Sequence, residues 1–221
     1  MATPAQHRVL IVDDHPMVRE RLRELIRNES DLTVCGEAET RAQTIELIAQ
    51  TRPHIVLLDL NLKDSHGTDL IKDIVAAEPK ARVLVISMHE ESLFAERAVR
   101  AGARGYITKQ EATKNVLQAI RSVLEGQIYL GDALARRLVT KLVGGTQVPA
   151  LPSVDLLSDR ELQVMRLIGL GHSTQQIANE IHLDHKTVET YKARIKDKLD
   201  LKDANALLQY AIGWVRSQGQ I

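Results

Sequence analysis

Short apolar runs alternate with amphipathic stretches over the first half of the chain. Val9-Leu10-Ile11-Val12, Ile55-Val56-Leu57-Leu58 and Val83-Leu84-Val85-Ile86 are apolar at every position and rich in β-branched residues. That is the pattern of strands buried on both faces of a parallel sheet. Residues 33–36 and 105–108 are weaker strand candidates. Between them the apolar positions repeat with a helical period: Val18, Leu22, Leu25 and Ile26; Ile45, Ile48 and Ala49; Leu70, Ile74 and Val75; Leu93, Ala98 and Val99; Val116, Leu117, Ile120, Val123 and Leu124. Each set falls on one face. Five strand–helix alternations predict right-handed crossovers and a doubly wound α/β sandwich.

The pattern changes after Gly126. Leu134, Leu138 and Leu142 predict a helix over 132–142. Residues 144–152 then carry Gly and Pro without periodicity, as a linker does. From Leu157 onward only helices are predicted. Ser158 with Glu161 and Ser173 with Gln176 have capping-box spacing, Asp184 reads as a third N-cap, and residues 204–215 form a last helix. The expected division is 1–126, an α/β domain; 127–152, a linker helix and flexible linker; and 153–221, an all-α domain.

The 221 residues carry 29 Lys plus Arg against 29 Asp plus Glu, a formal net charge of zero. Taken as a total, neutrality argues against a nucleic-acid partner. Its distribution changes that. Residues 185–198 hold five basic and two acidic residues, within a 153–221 segment that has nine of each. The basic stretch lies on the second of two helices joined by the short turn 181–184, the arrangement of a helix-turn-helix. The single cysteine, Cys35, excludes an internal disulfide and a cysteine zinc cluster, and it suits a reducing cytoplasm. No signal-peptide core opens the chain and no apolar run nears the ~20 residues that span a bilayer, so a cytoplasmic protein without a membrane partner is expected.

In a doubly wound sheet, ligand chemistry sits beyond the C-terminal strand ends. Those ends carry Asp13-Asp14, Asp59, Ser87 and Thr108-Lys109. Clustered carboxylates repel unless a hard cation shares them, and Mg²⁺ takes one or two carboxylates plus waters and phosphate. Lysine and hydroxyl groups beside such an ion bind phosphoryl oxygens, and Asp59 is placed as a carboxylate nucleophile. An aspartate-nucleophile phosphatase is the enzymatic alternative. Such enzymes commonly use a second Asp two positions on as general acid, where this chain has Asn61.

Over residues 7–126 the sequence resembles a response-regulator receiver domain, on Asp13-Asp14, Leu57-Leu58-Asp59, Gly67, Ser87 and Lys109. The resemblance implies a flavodoxin-like (βα)5 fold with a sensor histidine kinase as partner. It implies Asp59 as phosphoacceptor and Mg²⁺ (or Mn²⁺) held by Asp13, Asp14, Asp59 and the Asn61 carbonyl. Lys109 would bind the phosphoryl group, with Ser87 and Tyr106 as the switch. It implies no enzyme beyond slow metal-dependent self-phosphorylation and dephosphorylation. Leu62-Lys63 and Gln110 depart from the frequent Met-Pro and Pro, and neither change removes a reacting group.

Residues 153–216 resemble the DNA-binding domain of LuxR/NarL (FixJ) regulators, on Leu157-Ser158-x-Arg160-Glu161, Gly171-His172-Ser173, Ile177-Ala178, residues 186–191 and Lys198-Leu199. This implies a four-helix domain and a homodimer, when active, reading an inverted repeat in promoter DNA. RNA polymerase would be a further contact. Residues 186–198 would enter the major groove, with Glu189, Thr190 and Ala193 facing bases and Lys192, Arg194 and Lys196 facing phosphates. Lys186 and Thr187 complete the DNA-facing set. Ala204, Leu207, Leu208 and Ala211 would form the dimer contact. Asp200 stands where the family often has Gly, a residue suited to φ > 0. Activation by receiver dimerisation and activation by unmasking of the recognition helix both fit the linker. A binding module with a protein-only output is the remaining alternative class.

Overall fold

The computed structural model describes residues 6–60, 62, 67–87, 92–131, 135–136 and 154–217. Asn61 and nearly all of the expected 132–152 helix and linker lie outside them. The chain divides into two compact units, 1–146 and 147–221.

The first unit is a parallel sheet in the order β2-β1-β3-β4-β5-β6. Its strands are β1 (His7–Val12), β2 (Leu32–Ala38), β3 (Ile55–Leu58), β4 (Arg82–Ser87), β5 (Gly105–Thr108) and β6 (Tyr129–Leu130). The helices α1 (Pro16–Arg27), α2 (Arg41–Thr51), α3 (Gly67–Ala77), α4 (Ser92–Ala101) and α5 (Lys109–Leu124) connect them. β3 is buried at all four positions, and β1 and β4 are buried beyond their first residues, which is why these runs lack alternation. On one face Val9, Ile11, Leu57, Leu84 and Ile107 pack with Leu22, Ile26, Val116, Ile120 and Val123. Three details differ from expectation. Ala49 is exposed and Thr44 buried on α2, and Phe94 is the large buried side chain of α4. β6 falls where linker was expected; two residues are too few to leave a periodic signal, yet Tyr129 and Leu130 pair with Gly105 and Tyr106.

The strand order reverses at β1, whose neighbours are β2 and β3. Asp13 and Asp59 follow β1 and β3, so they flank the crevice opened by that reversal. The Asp59 N–H donates to the Val12 carbonyl at 2.8 Å and the Asp13 N–H to Ala38 at 3.1 Å, extending the ladder into the site.

The second unit is a 3₁₀ turn (Val154–Leu156) followed by α6 (Asp159–Gly169), α7 (Thr174–Glu180), α8 (His185–Lys198) and α9 (Ala204–Ser217). Both capping boxes form, and the Asp184 carboxylate accepts from the Thr187 N–H at 2.8 Å. Val188, Ile195 and Leu199 form the buried stripe of α8. α6 and α9 approach closely at Gly169, where a Cβ would lie 2.4 Å from the Ala211 carbonyl oxygen. Two non-glycine residues bend the backbone through positive φ: His182 (55°) in the turn between α7 and α8, and Asp200 (53°) after α8. Asp200 therefore adopts the left-handed conformation that Gly would take there; Asp tolerates it better than most side chains.

At the opposite end of the sheet from the acidic crevice, His54 closes the ladder before β3 begins. Its N–H donates to the Arg8 carbonyl at 2.9 Å, and its Nδ1 accepts the Arg8 N–H at 2.8 Å. Burial, then the charges of Arg8 and His7, hold the imidazole below its ordinary pKa. The folded chain thus binds fewer protons here than the unfolded one. The contribution is whole above pH about 6.5 and is lost as pH falls through the lowered folded value. His54→Gln, which keeps an acceptor but cannot titrate, should flatten the loss of the first unit's calorimetric melting temperature between pH 7 and 5.5. A slope equal to wild type would remove His54 from the acid response.

Candidate phosphoryl and DNA-binding sites

The acidic crevice is built from three strand ends. Asp13 and Asp59 are each 2% exposed, and Ser87 is fully buried at the end of β4. Carboxylate and imidazole atoms of Asp13, Asp14, His15 and Asp59 all lie within 4.8 Å of one another. Bare carboxylates this close repel strongly, so the cations around them define the arrangement. The Lys109 ammonium donates to Asp13 Oδ2 at 2.8 Å and to Asp59 Oδ2 at 2.7 Å. Burial pushes the Lys109 pKa down, but the Asp59 charge and the bonds from Asp13 and Asp59 outweigh it and hold the amine above its usual value.

Local structure explains how Lys109 arrives there. Thr108 ends β5 and is itself the N-cap of α5, with Glu111 completing the capping box. Lys109 is thus the first residue of α5, with no intervening loop. A proline at position 110 would disfavour helical backbone at 109; Gln110 allows the helix to begin there. A cation at a helix N-terminus opposes the dipole, which the two carboxylates offset.

Tyr106 is buried on β5, in register with Val85 and Leu130. The structure therefore brings Asp13, Asp14, Asp59, Ser87 and Lys109 to one edge of the sheet. Two residues not singled out from sequence join them. His15 Nδ1 lies 3.0 Å from Asp13 Oδ1 and 2.7 Å from Asp14 Oδ1. Arg19, almost wholly buried, donates to the Asp13 carbonyl at 2.7 Å and pairs with Glu39, with Glu37 Oε2 3.6 Å from its Nε. A charged residue between Val18 and Leu22, on the inward side of α1, was the available signal for Arg19.

On α8 the exposed residues are His185, Lys186, Glu189, Thr190, Ala193, Arg194, Asp197 and Lys198, with Thr187, Tyr191, Lys192 and Lys196 half-buried. Their availability differs from the sequence arithmetic. Lys198 Nζ sits 2.7 Å from Glu161 Oε2, a carboxylate only 3% exposed that also accepts the Ser158 N–H at 2.7 Å. Burial raises the Glu161 pKa, but Lys198 and the Ser158 bonds bring it below the usual range. Lys198 therefore ties the end of α8 to the start of α6. The Thr187 hydroxyl donates to Asp184 at 2.6 Å and the Thr190 hydroxyl to the Lys186 carbonyl at 3.0 Å. The Arg194 guanidinium stands 6.0 Å over the Tyr191 ring.

The dimer-contact expectation needs correction. Leu207 and Ala211 are buried within their own unit, Ala211 beneath Gly169, and are not available to a second chain. Ala204 and Leu208 remain exposed. Ala211 faces α6 because Gly169 lets α9 approach it closely.

Comparison with known proteins decides the family. The receiver domain of response regulators matches residues 9–121, and the domain of bacterial regulatory proteins of the luxR family matches 155–211. Response regulator GacA of Pseudomonas aeruginosa is 33% identical over 194 residues, covering 88% of this chain and 90% of that protein. The chain belongs to the LuxR/NarL family of two-component response regulators. It is a response-regulator transcription factor, with a receiver domain and a LuxR-type DNA-binding domain. The oxygen regulatory protein NreC of Staphylococcus carnosus is 29% identical over 93% of this chain and 96% of its own length. A LuxR-family response regulator from Aurantimonas superposes with a TM-score of 0.59 at 34% identity, over 63% of this chain and 99% of its own. RcsB of Salmonella enterica, solved bound to promoter rprA with the phosphomimetic BeF3⁻, shares the fold at 24% identity. Its TM-score is 0.58, over 93% of this chain and 98% of its own. Among the described residues of this response regulator, no helix is long and apolar enough to cross a membrane.

Lys198→Met leaves the Glu161 charge with its Ser158 bond alone. Because Lys198 is partly exposed, the expected loss is about 1–2 kcal/mol, read as a lower urea midpoint by the fluorescence of Trp214, the sole tryptophan. The salt dependence of DNA binding should be unchanged; a slope reduced by about one would make Lys198 a phosphate contact.

Proposed function

We propose that a sensor histidine kinase phosphorylates Asp59 and that this controls binding of promoter DNA by α8. The observation that carries the reading is the Lys109 ammonium shared between Asp13 and Asp59 at the β1/β3 crevice. An ammonium placed on the nucleophile carboxylate is also placed for the oxygens of a phosphoryl group transferred to it.

The donor set fits Mg²⁺ or Mn²⁺, since three buried or nearly buried carboxylates converge and every acidic donor is a hard oxygen. Asp13, Asp14, Asp59 and the Asn61 carbonyl would hold the ion, which supplies charge neutralisation to the entering phosphoryl oxygens. Ser87 donates to the transferred group and Tyr106 follows it, changing the β4–β5 face. Phosphorylation replaces the single negative charge of the Asp59 carboxylate by the roughly −2 of a phosphoryl group, and the added charge, about −1, competes for the Lys109 ammonium. With at most slow metal-dependent self-phosphorylation and dephosphorylation, the protein is a regulator and not an enzyme.

On the DNA side, Lys186, Arg194 and Lys196 contact phosphates, and Glu189, Thr190 and Ala193 face bases, with Thr187 bracing the helix start. A homodimer reads an inverted repeat, using Ala204 and Leu208 on the exposed side of α9. RNA polymerase is the next partner, and the compartment is the cytoplasm. The domains act as a receiver at 1–126, a linker from 127 and a DNA-binding unit from 153.

The test is labelling with a small-molecule phosphodonor. Wild type should acquire label with Mg²⁺; Asp59→Asn should not, and chelating the metal should abolish labelling while circular dichroism stays unchanged. Label retained by Asp59→Asn would place the acceptor elsewhere, and labelling undiminished by chelation would remove the metal.

A further inference from the structure

Three polar side chains close a ring across the exposed side of the helix-turn-helix. The Thr174 hydroxyl, at the first position of α7, donates to Glu189 Oε1 at 2.9 Å. Lys192 Nζ lies 2.8 Å from that same oxygen and 3.1 Å from Thr174 Oγ1. None of the three is needed for the fold. Ser173, not Thr174, caps α7, and exposed ion pairs contribute little stability. The ring does fix a direction: both partners converge on Oε1, so the Glu189 carboxylate is oriented before any ligand arrives.

A carboxylate entering a DNA groove meets phosphate repulsion unless a cation travels with it, and Lys192 is that cation. Major-groove hydrogen-bond donors are the amino groups of cytosine N4 and adenine N6. Adenine N6 stands beside the N7 acceptor, which repels a carboxylate; cytosine N4 has no such neighbour on its own ring.

We propose that Glu189 is held by Thr174 and Lys192 to read a cytosine, so that Lys192 serves base specificity and is not a phosphate contact. This rests on α8 entering the major groove and departs from the expectation that grouped Lys192 with Arg194 and Lys196. The Glu189–Lys192 pair then contributes no net charge to non-specific attraction. Thr174 and Lys192 are positioning residues, acting through the carboxylate.

The experiment selects duplexes from a random-sequence pool with the full chain in Mg²⁺ and phosphodonor, and then measures salt dependence on the enriched duplex. Wild type should enrich cytosine at one position of each half-site. Glu189→Gln should exchange that cytosine for adenine, the base Gln pairs with bidentately. Thr174→Val should weaken the cytosine preference about tenfold with an unchanged salt slope, and Thr174→Ser should restore it. Lys192→Met should weaken the preference likewise without losing a unit of slope. Trp214 fluorescence confirms that each variant is folded. Full cytosine preference in Thr174→Val, or a slope lowered by about one in Lys192→Met, overturns the proposal. Absence of any enriched sequence with wild type overturns the groove reading beneath it, a distinguishable result.

Discussion

Three carboxylates meet at the edge where the sheet changes direction, and their repulsion is the constraint that organises the first unit. Two unit charges 4 Å apart interact by about 4 kcal/mol at the effective dielectric of a protein. The hydrogen-bonding groups that answer this come from different segments. Lys109 opens α5, His15 precedes α1, and Arg19 reaches from α1 to the Asp13 carbonyl and to the glutamates at and just beyond the end of β2. Because Lys109 serves two carboxylates at once, a change in charge at Asp59 acts on the start of α5. Through the β4–β5 and β5–β6 pairings, the same region adjoins Tyr106 and Leu130. The site and the far edge of the sheet are thus joined by one rigid strand and one helix start.

The second unit is held by a comparable device of opposite sign. Glu161 is a buried anion that accepts from the Ser158 backbone and from Lys198, so one carboxylate joins the first helix of the unit to the last turn of α8. Gly169 then lets α9 close over α6. Val188 and Ile195 fix α8 from its buried side, which leaves its exposed side free to carry recognition chemistry without supporting the fold.

Much of this was legible in the sequence. Fully apolar strands, capping boxes at Ser158 and Ser173, and acidic residues at strand ends are local patterns, and each survives intact. What was not legible depends on pairings distant along the chain. Lys198 and Lys192 count as free positive charge until their partners Glu161, Thr174 and Glu189 are known. Leu207 and Ala211 pass for dimer contacts until they are seen buried within their own unit, Ala211 against Gly169. β6 is too short for a period, and Arg19 reads as an ordinary helix charge until the Asp13 carbonyl is found in front of it. Periodicity reports which face of an element is apolar; it cannot report which neighbour that face meets.

Charge accounting changes in the same way. α8 carries five cations in sequence, but one is bound to Glu161 and another to Glu189. Lys186, Arg194 and Lys196 remain, opposed by exposed Asp197. Each phosphate neutralised contributes about 0.9 to the salt slope, so a single unit offers a shallow electrostatic grip on DNA. Such a helix does not hold non-specific DNA well, and a neutral chain adds no background attraction. On the proposed function, occupancy of a promoter would then come from base contacts and from two units acting on two half-sites. Weak intrinsic attraction would let such a dimer report the state of Asp59, whereas a strongly basic helix would stay on DNA regardless.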